Sequence, residues 1–562
     1  MVSRLIAYIN KDTSTLNQAA FVLGFFSILS QVLGLVRDRL LAGWIGPGEM
    51  LDVYYAAFKI PDLINVLFPS LFSVTILIPF ISEYAQKKRI DKLNEFLRNI
   101  FSVYVLGMVV VSALAFLLMP FLVRVIAPGF DLEQIRMLTF CTRIMLLSPF
   151  LLGLSSLFGA FTQVQKKFFS FAIAPIFYNI GILVGIIFLS KPLGILGVIL
   201  GVVFGAFLHM ALQIPSLRAV SVLPRFSLNI KWSLILRVMK QSIPRTIGLS
   251  LSNTTFIIIG ALASLLVAGS LSVFQLSYNI QTTPLAIIGI SYAVAAFPTL
   301  TRLYGEKKKQ EFMNLIHRAA QNILFLALPL SFFFIVLRAH IVRVLLGTST
   351  FSWTNTRLVA ASLAVFSISI VAQSLVLLLV RGFYATGNTR TPLKINTLTV
   401  FITTSVALSG LWFFERNEFF RYFVESLLRI DSVEGAGVVL LAFAFSVGQL
   451  CNAGVLWILF HKQMRGSYVP SVQFRHKTFH ILSASLIGAT VSYGILQYFL
   501  TPFPLTTFWQ VLWQAVLSGG IGVLVYGGIL YALKNEDIAL FTKTIRSKFW
   551  KIRPINDDQP DL

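Results

Sequence analysis

The chain has 562 residues, of which 56% are hydrophobic and 12% charged, and it carries a net charge of +24. A soluble domain carries about 25% charged residues, so this composition excludes a soluble globular fold and points to an all-α polytopic membrane protein. The mean hydropathy of +0.81 agrees. The basic residues lie in short loops between apolar runs, where bilayer orientation and contact with anionic phospholipids account for them and nucleic-acid binding does not.

In chain order, Met1–Asn10 lacks the charged, apolar and small-residue regions of a cleavable signal peptide. A membrane-crossing helix needs about 20 apolar residues. That length predicts about fourteen spans: 17–36, 62–82, 100–122, 139–161, 169–189, 193–214, 242–266, 271–295, 319–337, 358–380, 395–414, 437–460, 479–500 and 508–531. Basic residues gather after every even-numbered span. They include Lys87, Lys88 and Arg89, then Lys166 and Lys167, then Arg225 and Lys240, then Lys307 to Lys309, then Arg381, Arg390 and Lys394, then Lys462 and Arg475, and finally the C-terminal tail. The alternate loops are poor in them: TPFP at 501–504 has none, and 415–434 is net acidic. Basic loops face the cytoplasm, which predicts that both termini do too. Cys141 and Cys451 sit in apolar runs with no metal or redox spacing.

Two segments repeat. PFISEYAQKK from Pro79 resembles PTLTRLYGEKKK from Pro298, an offset of 219 residues or six spans, and GAFTQVQKKFF (159–169) pairs similarly with GFYATGNTRTP (382–392). An even number of spans makes the repeats parallel, and two parallel halves suggest alternating access about a central cavity. The expected organisation is therefore two pseudo-symmetric six-helix lobes, 1–217 and 218–460, followed by two further helices over 461–531 and a basic cytoplasmic tail over 532–562.

No P-loop, zinc spacing or nucleophile elbow is present, the six histidines do not cluster in sequence, and Asp and Glu total only 22. An ATPase within this chain is excluded; a membrane transferase stays open, although such enzymes usually need a carboxylate cluster, and a transporter with no cofactor is the expectation. The informative residues are ionisable groups in or beside spans, where an unpaired charge costs several kcal/mol and so faces a cavity or a partner. Arg37, Asp38, Arg39, Asp52 and Lys59 fall within 23 residues, Arg143 lies inside the fourth span, and Arg245 lies at the start of the seventh. Arginine suits phosphate because its fork binds two oxygens; Asp38 and Asp52 would hold the cations or exchange salt bridges. The alternative is an interfacial cluster with Arg37 or Arg39 snorkelling to the headgroups. Pro61, Pro69, Pro244 and Pro284 are expected to break or kink helices around a cavity.

Several motifs together carry a resemblance. SQVLGLVRDRLLAGWIGPGEMLDVYYAAFKIPDL (30–63), APGF (127–130), RIMLLSPF (143–150), KKFFSFAIAPIFYN (166–179) and RGFYATGNTRTPLKI (381–395) resemble the MurJ/MviN family of the MOP flippase superfamily, over roughly residues 12 to 531. The resemblance implies fourteen helices in two lobes around a V-shaped cavity. It also implies a monomer in the bacterial plasma membrane that moves the undecaprenyl-diphosphate-linked muropeptide, lipid II, to the outer leaflet. No ATP would be used, and coupling would be to Na+ or H+ or to the membrane potential. The last two helices would form a groove for the lipid tail.

Residue by residue, the family's arginine–aspartate pair matches Arg37 and Asp38, its next aspartate Asp52, its basic residue before proline Lys59, and its RIM arginine Arg143. Arg381, Tyr384, Thr389, Thr391 and Pro392 carry the cytoplasmic-loop motif. Other positions depart. Gln31, Asn65, Val66 and Asn279 stand where the family has arginines, and Ser70 where it has an acid. Gln and Asn still donate hydrogen bonds, but each lost charge removes a charge-assisted contact to a diphosphate. Either Arg37, Lys59, Arg143 and Arg245 bind it, with Gln31 and Asn279 as neutral donors, or the substrate is another polyprenyl-linked saccharide. A non-transporting membrane scaffold that keeps the fold is the third alternative.

Overall fold

Apolar runs of bilayer length satisfy their main-chain polar groups internally only as helices, and among the described residues every regular element is helical. The computed structural model describes residues 16–71, 90–164, 168–219, 226–431, 433–464, 472–500, 507–535 and 538. The second half of the second expected span, the loop residues Lys87, Lys88, Arg89, Lys166, Lys167 and Arg225, the TPFP turn and nearly all of the C-terminal tail lie outside the described residues.

The main helices are α1 (Leu16–Trp44), α2 (Glu49–Ala57), α3 (Lys59–Leu71), α4 (Ile90–Ile126), α5 (Leu132–Met145), α6 (Leu147–Val164), α7 (Phe168–Val184), α8 (Ile195–Ala211), α9 (Trp232–Ser264) and α10 (Ser270–Pro284). They continue with α11 (Ser291–Gly305), α12 (Lys309–Val336), α13 (Arg338–Leu346), α14 (Trp353–Ile368), α15 (Ile370–Ala385), α16 (Arg390–Arg416), α17 (Glu418–Leu428), α18 (Val438–Gln463), α19 (Val472–Gly494) and α20 (Phe508–Ala532). Among the described residues, 11 helices, or 12 with the bent pair α14 and α15 taken as one, are long and apolar enough to cross a membrane. They coincide with the expected third to fourteenth spans. The expected first span falls within α1, and the second begins in α3.

The helices α3 and α9 run through Pro61, Pro69 and Pro244 without interruption, contrary to the breaks expected there. Pro61 is in the first turn, where its missing N–H would be unpaired anyway. Pro284 does mark a change, since a π-helical stretch, Leu285–Ile290, follows it.

The chain forms two compact units interleaved in sequence. The first comprises Met1–Thr283, Val342–Phe366 and Gly387–Leu456; the second comprises Pro284–Ile341, Ser367–Thr386 and Trp457–Leu562. In the first, α7 and the π-helical stretch that continues it (Gly185–Leu189) cross α8 closely because glycines recur every four residues on both sides, Gly181 and Gly185 facing Gly197, Gly201 and Gly205. This is the small-residue spacing that lets membrane helices approach backbone to backbone. A Cβ at Gly201 would stand 2.6 Å from Gly185 Cα, and backbone cannot step aside as a side chain can. Gly201→Ala is therefore expected to lower stability by about 1–3 kcal/mol, the usual cost of overpacking, read as a lower thermal midpoint of the detergent-solubilised protein; an unchanged midpoint would contradict the close crossing.

In the second unit, α19 packs against both α12 and α20. Phe325, Ile481, Ala484, Tyr526 and Leu530 form its core cluster, and the Tyr526 hydroxyl donates to Phe325 O at 2.7 Å. Outside such cores, large apolar side chains face outward, among them Leu117 (72% exposed) on α4 and Leu524 (74%) on α20, as lipid-facing surface requires.

The helix α17 has a different character. Phe419, Tyr422, Phe423 and Leu427 share one exposed face, continuous with exposed Trp412 and Phe413 of α16 through a Phe413–Phe420 ring contact, while Glu418, Arg421 and Glu425 occupy other faces. A short amphipathic helix of this kind lies in the lipid–water interface. Spin labels at Phe419 and Phe423 in nanodiscs are expected to meet dissolved oxygen more than a water-soluble nickel chelate, and a label at Glu425 the reverse.

Candidate functional site

The charged cluster after the first span folds onto α10, and all of its partners belong to the first unit. The Arg37 guanidinium donates from Nε (3.0 Å) and Nη2 (2.8 Å) to Asp38 Oδ1. The other carboxylate oxygen of Asp38 accepts from Asn279 Nδ2 at 2.9 Å, and Asn279 Oδ1 in turn accepts from Gln275 Nε2 at 2.9 Å. Asp38 is buried and Arg37 is 22% exposed. A carboxylate out of water needs such full pairing. Asn279, at a position where a family arginine was expected, thus serves as a donor to Asp38.

The relay ends at a cavity. Gln275 lines a space of about 190 Å³ together with Lys59, Asp62, Asn253, Phe256, Ile257 and Tyr278. Lys59 opens α3 and lies over the Phe256 ring at 5.8 Å. Asp62, three residues along and so on the same helical face, interacts with it electrostatically. Asn253 donates to Asp62 O at 3.3 Å. The expected lining of free cations is therefore partly neutralised: Arg37 is paired with Asp38, and the Asp62 carboxylate acts on Lys59 electrostatically without a direct bond. An anion entering here meets an ammonium, two side-chain amides and a phenol, and it competes with a carboxylate for the ammonium.

Asp52 is built for a different task. It is buried on α2, and its Oδ2 accepts from Gly269 N (2.8 Å) while Oδ1 accepts from Ser272 N (2.7 Å). It caps α10 from a helix 217 residues earlier in the chain, where the unpaired N–H groups and the positive end of the helix dipole favour a carboxylate. Gly269 has φ +93°, a left-handed conformation that glycine adopts without strain. Asp52 pairs with main chain here, not with a cation.

The remaining expected residues scatter. Arg39 donates from Nη1 to Val344 O at 2.6 Å and to Leu345 O at 3.4 Å, at the carbonyl end of α13. Arg143 packs its guanidinium on the Phe116 ring at 4.4 Å and donates to Phe116 O at 3.2 Å, and it does not line the Lys59 cavity. Gln31 is half-buried on α1. Arg245 belongs to α9, and its side chain lies outside the described residues.

The loop motif divides between two helices. Arg381 and Tyr384 are half-buried on α15. Gly387 turns with φ +77°, and Asn388 closes the entry to α16, accepting from Thr391 N (3.1 Å) and donating to Thr391 Oγ1 (2.9 Å). Thr389 precedes that helix, exposed, and Pro392 is buried in its first turn. These positions shape a turn. The sequence reading missed Asp62, Asn253, Gln275 and Tyr278. The Lys59–Asp62 spacing was a visible signal for the first, whereas the others are brought in only by the packing of α9 and α10.

No group of three or more potential metal ligands occurs among the described residues. Comparison with known proteins bears on what such a cavity is for. A family model described as lipid II flippase MurJ matches residues 41–513. The probable lipid II flippase MurJ of Rhizobium tropici is 29% identical over 89% of this chain and 88% of its own length. That of Rickettsia prowazekii is 25% identical over 92% of this chain and 98% of its own. Among solved structures, a lipid II flippase MurJ in an inward closed conformation superposes with a TM-score of 0.71 at 19% identity, covering 94% of this chain and 100% of that one. An inward-facing multidrug MATE transporter of the MOP superfamily gives 0.61 at 12% identity, over 77% of this chain and 94% of that one. With the family model covering most of its length, and the same fold in a solved member, the chain belongs to the MurJ family.

Proposed function

We propose that this protein moves lipid II from the inner to the outer leaflet of the bacterial plasma membrane by alternating access, as a transporter that breaks no bond. The observation that carries the reading is a polar cavity, with the Lys59 ammonium, the Asp62 carboxylate and two side-chain amides, inside a chain that matches the MurJ family model over residues 41–513. The diphosphate would contact Lys59 and the amides of Asn253 and Gln275, with Arg37, held by Asp38, at the far end of the relay. In this reading twelve of fourteen spans form lobes over 1–217 and 218–460, the two helices over 461–531 hold the lipid tail, and both termini with the basic tail 532–562 face the cytoplasm. The molecule works as a monomer among anionic phospholipids, driven by Na+ or H+ or by the membrane potential.

A second reading is favoured by one observation. Asn279 replaces a family arginine and spends its amide on Asp38, so the cationic set is thinner than lipid II recognition uses elsewhere in the family. Another polyprenyl-diphosphate-linked saccharide would then be the substrate. The test is complementation in cells depleted of their own lipid II flippase, with lipid II followed at the outer surface. Rescue supports the first reading. Good membrane insertion without rescue overturns it and leaves the second substrate or a scaffold role.

A further inference from the structure

In the second unit, two histidines meet without an assigned task. His317 is in the third turn of α12, and His461 is near the end of α18. His317 Nδ1 lies 2.8 Å from Met313 O, and His461 Nδ1 lies 2.9 Å from Trp457 O. A main-chain carbonyl only accepts, so each Nδ1 carries a hydrogen. The two Nε2 atoms face each other at 3.1 Å. With both rings neutral in that tautomer, both Nε2 atoms would be acceptors, and the contact would set lone pair against lone pair. One hydrogen between them turns the repulsion into a hydrogen bond.

We propose that His317 and His461 form a proton-binding site, in which a single proton shared between their Nε2 atoms makes an imidazole–imidazolium pair that ties α12 to α18. Aromatic rings wall the pair. The Trp457 ring lies 4.6 Å from His461 and 5.6 Å from His317, and the Phe474 ring of α19 lies 5.3 Å from His317. Most of the charged groups on the packed helices are exposed. Arg318 on α12, Lys462 on α18, Arg475 and His476 on α19, Arg302 and Glu306 on α11, and Lys534 after α20 are exposed. Lys477 and His480 on α19 and Arg381 on α15 are half-buried.

A transition-metal ion would also suit two facing Nε2 atoms, but a resident ion of the zinc type takes four ligands. Among the described residues no third His, Cys, Asp or Glu joins these two. The proton is the ligand that the pair can hold by itself. His317 and His461 border the basic loops 300–318 and 461–478 expected to face the cytoplasm, the compartment that would supply the proton. The sign follows from the geometry: the link exists while the proton is bound and becomes a repulsive contact when rising pH removes it.

The test uses the full chain, 15N-labelled at histidine, in lipid nanodiscs, followed by NMR from about pH 4 to about pH 9. The expected result is a pair of Nε2 signals coupled through one hydrogen, with imidazolium character, lost at the alkaline end and absent in H461Q. Two uncoupled, neutral rings throughout the range would overturn the proposal. So would equimolar Zn2+ moving both Nε2 signals at neutral pH, since the site would then be a metal site. A second readout is the thermal midpoint. Wild type is expected to lose more stability than H461Q as pH rises, because the glutamine amide donates to His317 Nε2 without needing a proton. Equal pH dependence in the two proteins would count against the shared proton.

Discussion

Lys59→Gln is expected to cut transport about 10- to 100-fold while the protein still inserts and folds. The residue supplies the ammonium in the cavity, and a hydrogen bond to a charged group is worth about 1.5–3 kcal/mol, with every 1.4 kcal/mol a factor of about ten. Lys59→Arg should keep most of the activity, since the charge and donors remain. The neighbour adds a second arm. Lys59→Gln leaves Asp62 without its cation, so part of any loss could reflect a stranded carboxylate rather than a missing phosphate contact. Lys59→Gln with Asp62→Asn removes both charges and separates these causes: if the double variant regains transport, Lys59 serves Asp62 and not the substrate. Outer-surface lipid II in the complementation strain, with expression and thermal midpoint measured alongside, reads all three variants.

Asp52→Ala is expected to destabilise the fold by about 2–4 kcal/mol. Two buried N–H groups, of Gly269 and Ser272, would lose their acceptor together, and each unsatisfied buried donor costs about 1–3 kcal/mol. Loss of a cap alone costs about 0.5–2 kcal/mol. Asp52→Asn should cost less, because its carbonyl oxygen still accepts one of the two bonds. A thermal midpoint unaffected by Asp52→Ala would mean that the α10 N-terminus is held by something else. An inactive but fully stable Asp52→Ala protein would instead point to a role in exchange of salt bridges.

Membrane helices are written plainly in sequence, because the only requirement is a long enough apolar run. The helices that cross the bilayer among the described residues stand where those runs predict, and the Arg37–Asp38 pair was visible as adjacent opposite charges in apolar surroundings. The partners were not. Asn279 lies 241 residues from Asp38, and nothing in SYNIQTTP marks its amide as the one that completes a carboxylate. Arg143 looked like a lone buried cation in search of phosphate; its partner is the face of Phe116 and a helix carbonyl, neither of which has a charge to betray it in sequence. Asp52 misled for the same reason. A carboxylate beside cations suggests a salt bridge, whereas helix N-termini attract carboxylates with no side chain involved. The glycine spacing on α7 and α8 was legible in the sequence, but only the observed crossing shows that the two sets face each other.

The tethers made by Asp52 and Arg39 share a property with an evolutionary consequence. Each has a side chain at one end and bare main chain at the other: Gly269 and Ser272 amides for Asp52, Val344 and Leu345 carbonyls for Arg39. Any residue that keeps its N–H can stand at 269 as far as the bond to Asp52 is concerned, and any residue at all can offer a carbonyl at 344 or 345. Substitutions at the two ends therefore need not compensate one another. Drift across relatives would leave Arg39 fixed while Val344 and Leu345 vary freely, and a contact map built from correlated substitutions would be blind to that long-range tie.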